Sequence, residues 1–239
     1  MGNRLQGRVA IVTGGGGGIG RGVAKWLARD GASVVVNDLG GAVDGSGGSG
    51  GPADAAVAEI VSEGGNAVPN YDSVAEFESA GRIIKAALDN YGRLDILCHL
   101  AGILRDRMVF NMSQEEWDSV IAVHLKGHFN LISRVSRVMR EQRSGRIITF
   151  SSTSGIWGNS GQANYGAAKD GIAGLTRVVA RDLGQYGVTC NAIVPSAETR
   201  MTQSVPDSAR ALRAQMGIAA ASAIAPKHLA RPAEAIAPV

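Results

Sequence analysis

The sequence predicts an α/β fold: a doubly wound parallel sheet with helices on both faces. Short apolar runs rich in β-branched residues alternate with longer stretches of helical periodicity, and brief connections join them, as in successive βαβ units. The runs Val34-Val35-Val36, Ile96-Leu97-Cys98 and Ile147-Ile148 are apolar throughout rather than alternating, which suits strands covered on both sides. With 239 residues, 45% of them apolar and 19% charged, the chain can fill one core and is short for two. Residues 1–239 therefore read as a single domain.

Taken in order, Arg8 to Thr13 reads as a first strand, followed by a glycine string and a helix from Ile19 to Asp30. Ser33 to Asp38 is the second strand. The stretch 40–52 is so rich in glycine that ordering it is costly, and a mobile surface loop is expected there. Ala67 to Pro69 marks a short third strand. Val74 to Asn90 reads as a helix because Phe77, Ile84 and Leu88 recur at spacings of seven and four. Leu94 to Leu100 gives a fourth strand, Gln114 to Arg140 one long helix, and Arg146 to Ser151 a fifth strand. A helix from Asn164 to Gln185 then leads to a strand from Val188 to Val194. Beyond it, Ala209 to Ala225 reads as a helix, and 197–226 as a segment able to cover a cleft.

Composition excludes several classes. The formal charge of +3 is spread along the chain without a basic stripe, which argues against nucleic acid as a partner. No segment approaches 18 continuous apolar residues, and Met1 to Gly7 lacks the apolar stretch of a secretory signal, so a cytoplasmic protein with no membrane association is expected. Cys98 and Cys190 lie in apolar strand-like runs and read as buried reduced thiols. His124 and His128 have no acidic partner at ligand spacing, so no metal site is expected.

Two features carry chemistry. The run Thr13-Gly14-Gly15-Gly16-Gly17-Gly18-Ile19-Gly20 lies between a strand and a helix. Glycines there allow a tight turn and a close approach to a pyrophosphate, which the N–H groups of the following helix then face. Gly14, Gly18, Ile19 and Gly20 are the candidate contacts. Asp38, followed by Leu39, comes twenty residues after Gly18, where a carboxylate grips adenosine ribose hydroxyls and repels a 2′-phosphate; NAD is the expected cofactor. A plain structural turn remains the alternative for each. Asp72, after the third strand, could reach the adenine edge or cap a helix. The second feature is the pair Tyr165 and Lys169, which share a helix face at a spacing of four. A nearby ammonium is expected to lower the tyrosine pKa. With Ser152 across the cleft to hold a substrate oxygen, this is equipment for moving a proton on or off a carbonyl or alcohol oxygen.

Together, the Thr-Gly-x-x-x-Gly-Ile-Gly run at 13–20, Ser152, Tyr165-x-x-x-Lys169 and the Pro195 segment resemble the short-chain dehydrogenases/reductases, whose sheet is of Rossmann type. Further stretches, among them Val36-Asn37-Asp38-Leu39-Gly40-Gly41, Asn70 to Val74, Ala101 to Arg107 and Gly161 to Tyr165, are similar to the (3R)-hydroxyacyl-CoA dehydrogenase domain of peroxisomal multifunctional enzyme type 2. The resemblance implies NAD-linked interconversion of (3R)-3-hydroxyacyl-CoA and 3-ketoacyl-CoA. It implies Tyr165 as the proton-transferring group, Lys169 on the nicotinamide ribose and Ser152 on the substrate oxygen. His124 stands where many relatives have the asparagine of a catalytic tetrad. Asp72, Ser73, Val74, Ala101 and Gly102 would line the dinucleotide, and Val194 or Thr199 would bond its carboxamide. Arg105 could attract CoA phosphates, and Met108, Trp157 and Met201 could wall an acyl pocket. A homodimer or homotetramer built through helices 114–140 and 164–185 is implied. One departure is His99-Leu100 where the family has Asn-Asn, because Leu100 cannot donate the hydrogen bonds that tie strand to cofactor loop. Two other readings stay open: a dehydrogenase for a steroid or other secondary alcohol, and a dinucleotide-binding regulatory protein without turnover.

Overall fold

A computed structural model of the protein describes residues 3–195. Six strands, β1 (Val9–Thr13), β2 (Ser33–Asn37), β3 (Asn66–Asn70), β4 (Ile96–His99), β5 (Gly145–Phe150) and β6 (Val188–Ile193), form one sheet in the order β3-β2-β1-β4-β5-β6. Every pairing is parallel. The strand order reverses between β1 and β4, whose last residues, Thr13 and His99, pair in register. Such a switch point is where α/β sheets of this kind bind ligands.

Alternation along each strand sends side chains to two separate cores, which is why the runs are apolar throughout. Ile11, Val35 and Leu97 face the layer of α3 (Phe77–Tyr91), α5 (Gly127–Gln142) and α7 (Ala163–Gly184), packing with Ile83, Leu131 and Val179. Ala10, Val12, Val34 and Val36 face the other layer, α1 (Gly18–Arg29) and α2 (Gly51–Ser62), packing with Ala24, Ala56 and Ile60. Helices on both faces and a wholly parallel sheet are the predicted architecture.

Three elements differ from expectation. The sequence reading contains no helix at α2, because its buried positions are mostly alanine (Ala53, Ala56, Ile60) and give a weak apolar stripe. Pro52 in its first turn is the start signal, and Gly51 and Pro52 belong to this helix rather than to the glycine-rich loop. Residues 40–50 make contacts of their own: Leu104 N–H donates to Val43 O at 2.9 Å, and Arg105 Nε to Asp44 O at 2.6 Å. The long helix expected over 114–140 is interrupted. Helix α4 (Gln114–Ile121) passes through a π-helical turn at Ala122–Lys126 before α5 begins. Finally, α3 starts at Phe77 rather than Val74, since Glu76 is still extended (φ −98°, ψ 126°). Among the described residues, no helix is long and apolar enough to cross a membrane. The expected helix at 209–225 and the segment 197–226 lie outside the described residues.

Candidate active site

The glycine turn closes on itself and on the strand beside it. Gly14 (φ +66°) and Gly18 (φ +52°) take left-handed backbone, and a Cβ on Gly20 would stand 2.0 Å from Gly14 O. No side chain caps the N-terminus of α1 at Gly17, and a Cβ on Gly18 would meet nothing within 4 Å. Free N–H groups and open space at a helix start make an anion cradle that fits a pyrophosphate. Asp38 is held at its rim: Oδ2 accepts from Gly16 N–H at 2.9 Å and Oδ1 from Gly40 N–H at 2.7 Å, and each oxygen keeps lone-pair capacity for a further donor.

The segment after β3 is fixed differently. Asp72 turns to α3, accepting from Arg82 Nε at 2.6 Å and Ser79 Oγ at 3.2 Å, while Asn37 Nδ2 donates to its backbone oxygen at 2.9 Å. Ser73 caps its own turn through Ala75 N–H, and Val74 is buried. The tie that Leu100 cannot make is made by Thr13. Its hydroxyl oxygen accepts from Leu100 N–H (3.2 Å) and Ala101 N–H (3.3 Å) and meets His99 Nδ1 at 2.5 Å. Strand β4 and the glycine turn are therefore joined without the family asparagine.

At the end of β5, Ser152 caps the short helix α6 (Thr153–Ile156), its Oγ accepting from Ser154 N–H at 3.1 Å. Tyr165 and Lys169 lie one turn apart on α7, with the Lys169 ammonium 5.5 Å from the Tyr165 ring centre. Asn164 aims this turn by donating to Arg105 O (3.0 Å) and Glu116 O (2.9 Å) and accepting from Tyr165 N–H (2.7 Å). His124, carried inward on the π-helical turn, sets its ring edge-on to Tyr165 with centres 5.1 Å apart. Gly102 makes room for it, since a Cβ there would fall 2.3 Å from His124 Cε1. Ser152, Tyr165, Lys169 and His124 thus converge beside the glycine turn.

The electrostatics correct one expectation. Burial raises the Tyr165 pKa above its ordinary value; the Ser152 hydroxyl pulls it down and the Asp106 charge pushes it up. Lys169 does not lower it, because Lys169 is itself buried, donates to Phe150 O at 2.6 Å, and has its pKa brought down to about 7 by desolvation. A half-neutral lysine exerts only part of the field expected of it.

Three imidazoles are buried behind this group. His99 and His128 have ring centres 3.9 Å apart, and His99 Nε2, His124 Nδ1 and His128 Nε2 lack hydrogen-bond partners among the described residues. Burial lowers the pKa of His99 and His124 well below 6.5 and that of His128 to about 3. All three are neutral in the fold and gain protons on unfolding, so their contribution to stability is whole above pH 6.5 and declines as pH falls toward 3. Urea melts should show the midpoint dropping between pH 6.5 and 4.5, and His128→Phe should flatten that drop.

Of the remaining candidates, Val194 is exposed just past β6, and Thr199 and Met201 lie outside the described residues. Arg105 holds the loop at Asp44 rather than standing free, Met108 accepts from Ser160 Oγ, and Trp157 is 82% exposed. Both cysteines are buried and unpaired. No cluster of metal-ligating side chains exists among the described residues. Asn164, in the first turn of α7, and Gln162, just before it, are buried polar residues near Tyr165 that are not among the site candidates, although they lie in the Gly161 to Tyr165 stretch that carries the resemblance.

The family model for short chain dehydrogenases matches residues 8–210. The chain belongs to the short-chain dehydrogenase family. It is 51% identical over 201 residues to a Mycobacterium tuberculosis protein named as a short-chain type dehydrogenase/reductase, covering 84% of this chain and 70% of that one. It is 48% identical to the peroxisomal multifunctional enzyme type 2 of Mus musculus over 84% of this chain but only 27% of that enzyme. It is 45% identical to the hydroxyacyl-CoA dehydrogenase ChsB1 of M. tuberculosis, over 84% of this chain and 64% of that one. The crystal structure of a short chain dehydrogenase from Mycobacterium avium superposes with a TM-score of 0.75 at 51% identity, covering 81% of this chain and 71% of that one. Similarity is thus shared among several relatives, rather than singling out the multifunctional enzymes.

Proposed function

We propose that this short-chain dehydrogenase interconverts 3-ketoacyl-CoA and (3R)-3-hydroxyacyl-CoA with NAD(H). The observation that carries the reading is the convergence of Ser152, Tyr165, Lys169 and His124 beside a glycine turn with an uncapped helix start. The thioester class is supported by the names of relatives, a hydroxyacyl-CoA dehydrogenase among them. A bound nicotinamide dinucleotide supplies the hydride donor or acceptor. The chain supplies the rest. Gly14 to Gly20 would cradle the phosphates, and Val194, just past β6, would bond the carboxamide. Ser152 holds the substrate oxygen with its hydroxyl hydrogen. In reduction, Tyr165, kept protonated by burial, gives its proton to the oxygen as negative charge develops on it. Lys169, titrating near neutrality, would hold the ribose and could return a proton to the tyrosine side. His124 fixes the phenol ring from its edge. Exposed Phe129 on α5 and Val178 on α7 support pairing of these helices with a second copy.

Asp38 supports NAD over NADP, since its fixed carboxylate would bond ribose hydroxyls and repel a 2′-phosphate. Asp38→Ala should weaken NADH binding by about 10- to 100-fold, the worth of a hydrogen bond to a charged group, and narrow the gap to NADPH. Fluorescence titration with both cofactors checks this. The substrate reading is tested by kcat/KM for acetoacetyl-CoA against a steroid ketone, each with NADH. A clear preference for the thioester supports the proposal; preference for the steroid moves it to another secondary alcohol, and NADH binding without turnover moves it to a regulatory protein.

A further inference from the structure

Gln162 precedes α7 and has no part in the chemistry above, yet it is only 5% exposed and hydrogen-bonded at both ends of its amide. Its side-chain oxygen accepts from Ser154 Oγ at 2.8 Å and Asn159 Nδ2 at 2.9 Å, and its amide nitrogen donates to Asp106 Oδ2 at 2.8 Å. One amide thereby joins the turn behind Ser152, the loop leading to Tyr165, and the segment following β4. Main-chain bonds run beside it: Arg107 N–H donates to Gly161 O at 2.8 Å, and Gly166 N–H to Gln162 O at 2.7 Å.

Ser154 is the link to the reacting groups. Its N–H donates to Ser152 Oγ at 3.1 Å while its own hydroxyl is taken by Gln162. With that N–H on the oxygen of Ser152, the Ser152 hydroxyl hydrogen is left for the Tyr165 oxygen. The site calls for a side chain that accepts two donors at one end and donates to a carboxylate at the other. An amide of this length does both, glutamate would face the Asp106 carboxylate, and leucine would leave Ser154 and Asn159 unpartnered.

We propose that Gln162, anchored on Asp106, is a positioning residue that fixes the Ser152 hydroxyl against the Tyr165 phenol. The inference rests on the roles given above to Ser152 and Tyr165. Gln162→Leu and Gln162→Glu should lower kcat for acetoacetyl-CoA reduction by roughly 10- to 100-fold, the cost of misplacing a reacting group by about 1 Å, with KM for NADH little changed. The double variant Gln162→Glu with Asp106→Asn reverses donor and acceptor across the contact and should recover most of the loss, which damage unrelated to this contact would not.

A second readout needs no turnover. With tyrosine labelled by ¹³C at Cζ and its signal assigned through Tyr165→Phe, Gln162→Leu should move the Tyr165 resonance in the direction that Ser152→Ala moves it. Wild-type kcat in Gln162→Leu, failure of the double variant to recover, or a Tyr165 resonance that shifts in Ser152→Ala but not in Gln162→Leu would overturn the inference. A wild-type protein that reduces no ketone would instead sink the functional reading, and the resonance comparison would still decide the positioning role.

Discussion

Replacing Tyr165 by Phe is expected to lower kcat for ketone reduction by roughly 10²- to 10⁴-fold, the usual worth of a positioned acid, while NADH affinity and melting temperature stay near wild type. Phenylalanine keeps the ring that packs edge-on against His124 and removes only the hydroxyl. The hydroxyl is the group that matters because burial holds it protonated, ready to donate. In the reverse direction the same group must first lose that proton. Alcohol oxidation should therefore speed up as pH rises, and ketone reduction should slow once the phenol begins to ionise. Initial rates in both directions across pH 6 to 10, which is roughly the span between imidazole and phenol titration, check both statements.

The second large effect separates activity from stability. Lys169 is a cation buried against Phe150 O, with a pKa brought from 10.5 to about 7. Between those values the unfolded chain binds the proton that the fold has released, so the stability linked to Lys169 rises with pH from about 7 toward 10.5. Lys169→Met should remove that slope and leave the dinucleotide-free protein at least as stable at pH 7, since an apolar side chain replaces a poorly solvated charge. Turnover should fall by at least about 10²-fold, as befits loss of a proton-handling group. Melting curves at pH 7 and 9 set beside kcat test the opposition. A variant that loses activity because it unfolds would contradict it.

Much of this arrangement is legible in the residues themselves. Continuous apolar runs announce a sheet buried on both faces, and the glycine run after β1, answered by Asp38 after β2, marks a phosphate-binding crevice. Tyr165-x-x-x-Lys169 needs only helical spacing to share a face. What escapes the sequence depends on contacts distant along the chain. Helix α2 hides because alanine at Ala53 and Ala56 buries little surface and leaves a faint periodicity. The π-helical turn that carries His124 inward has no local signature, since the residues around it suit an ordinary helix. Leu100 suggests a lost tie that Thr13 restores from another strand. The Lys169–Tyr165 spacing suggests a lowered tyrosine pKa, but burial reverses the outcome for one group and brings the other down to about 7. Gln162 gains meaning only when Ser154, Asn159 and Asp106 are seen to meet on it.

On the proposed function, hydride passes between the nicotinamide and C3 of a thioester substrate while the proton passes through Tyr165. Wild type and Tyr165→Phe are incubated with acetoacetyl-CoA and NADH carrying deuterium at both C4 positions of the nicotinamide, followed by mass and chiral analysis of the product. One deuterium is expected at C3 of (3R)-3-hydroxybutyryl-CoA from the wild type, and almost none from the variant. Unlabelled product, or equal labelled product from both proteins, would contradict the proposed function.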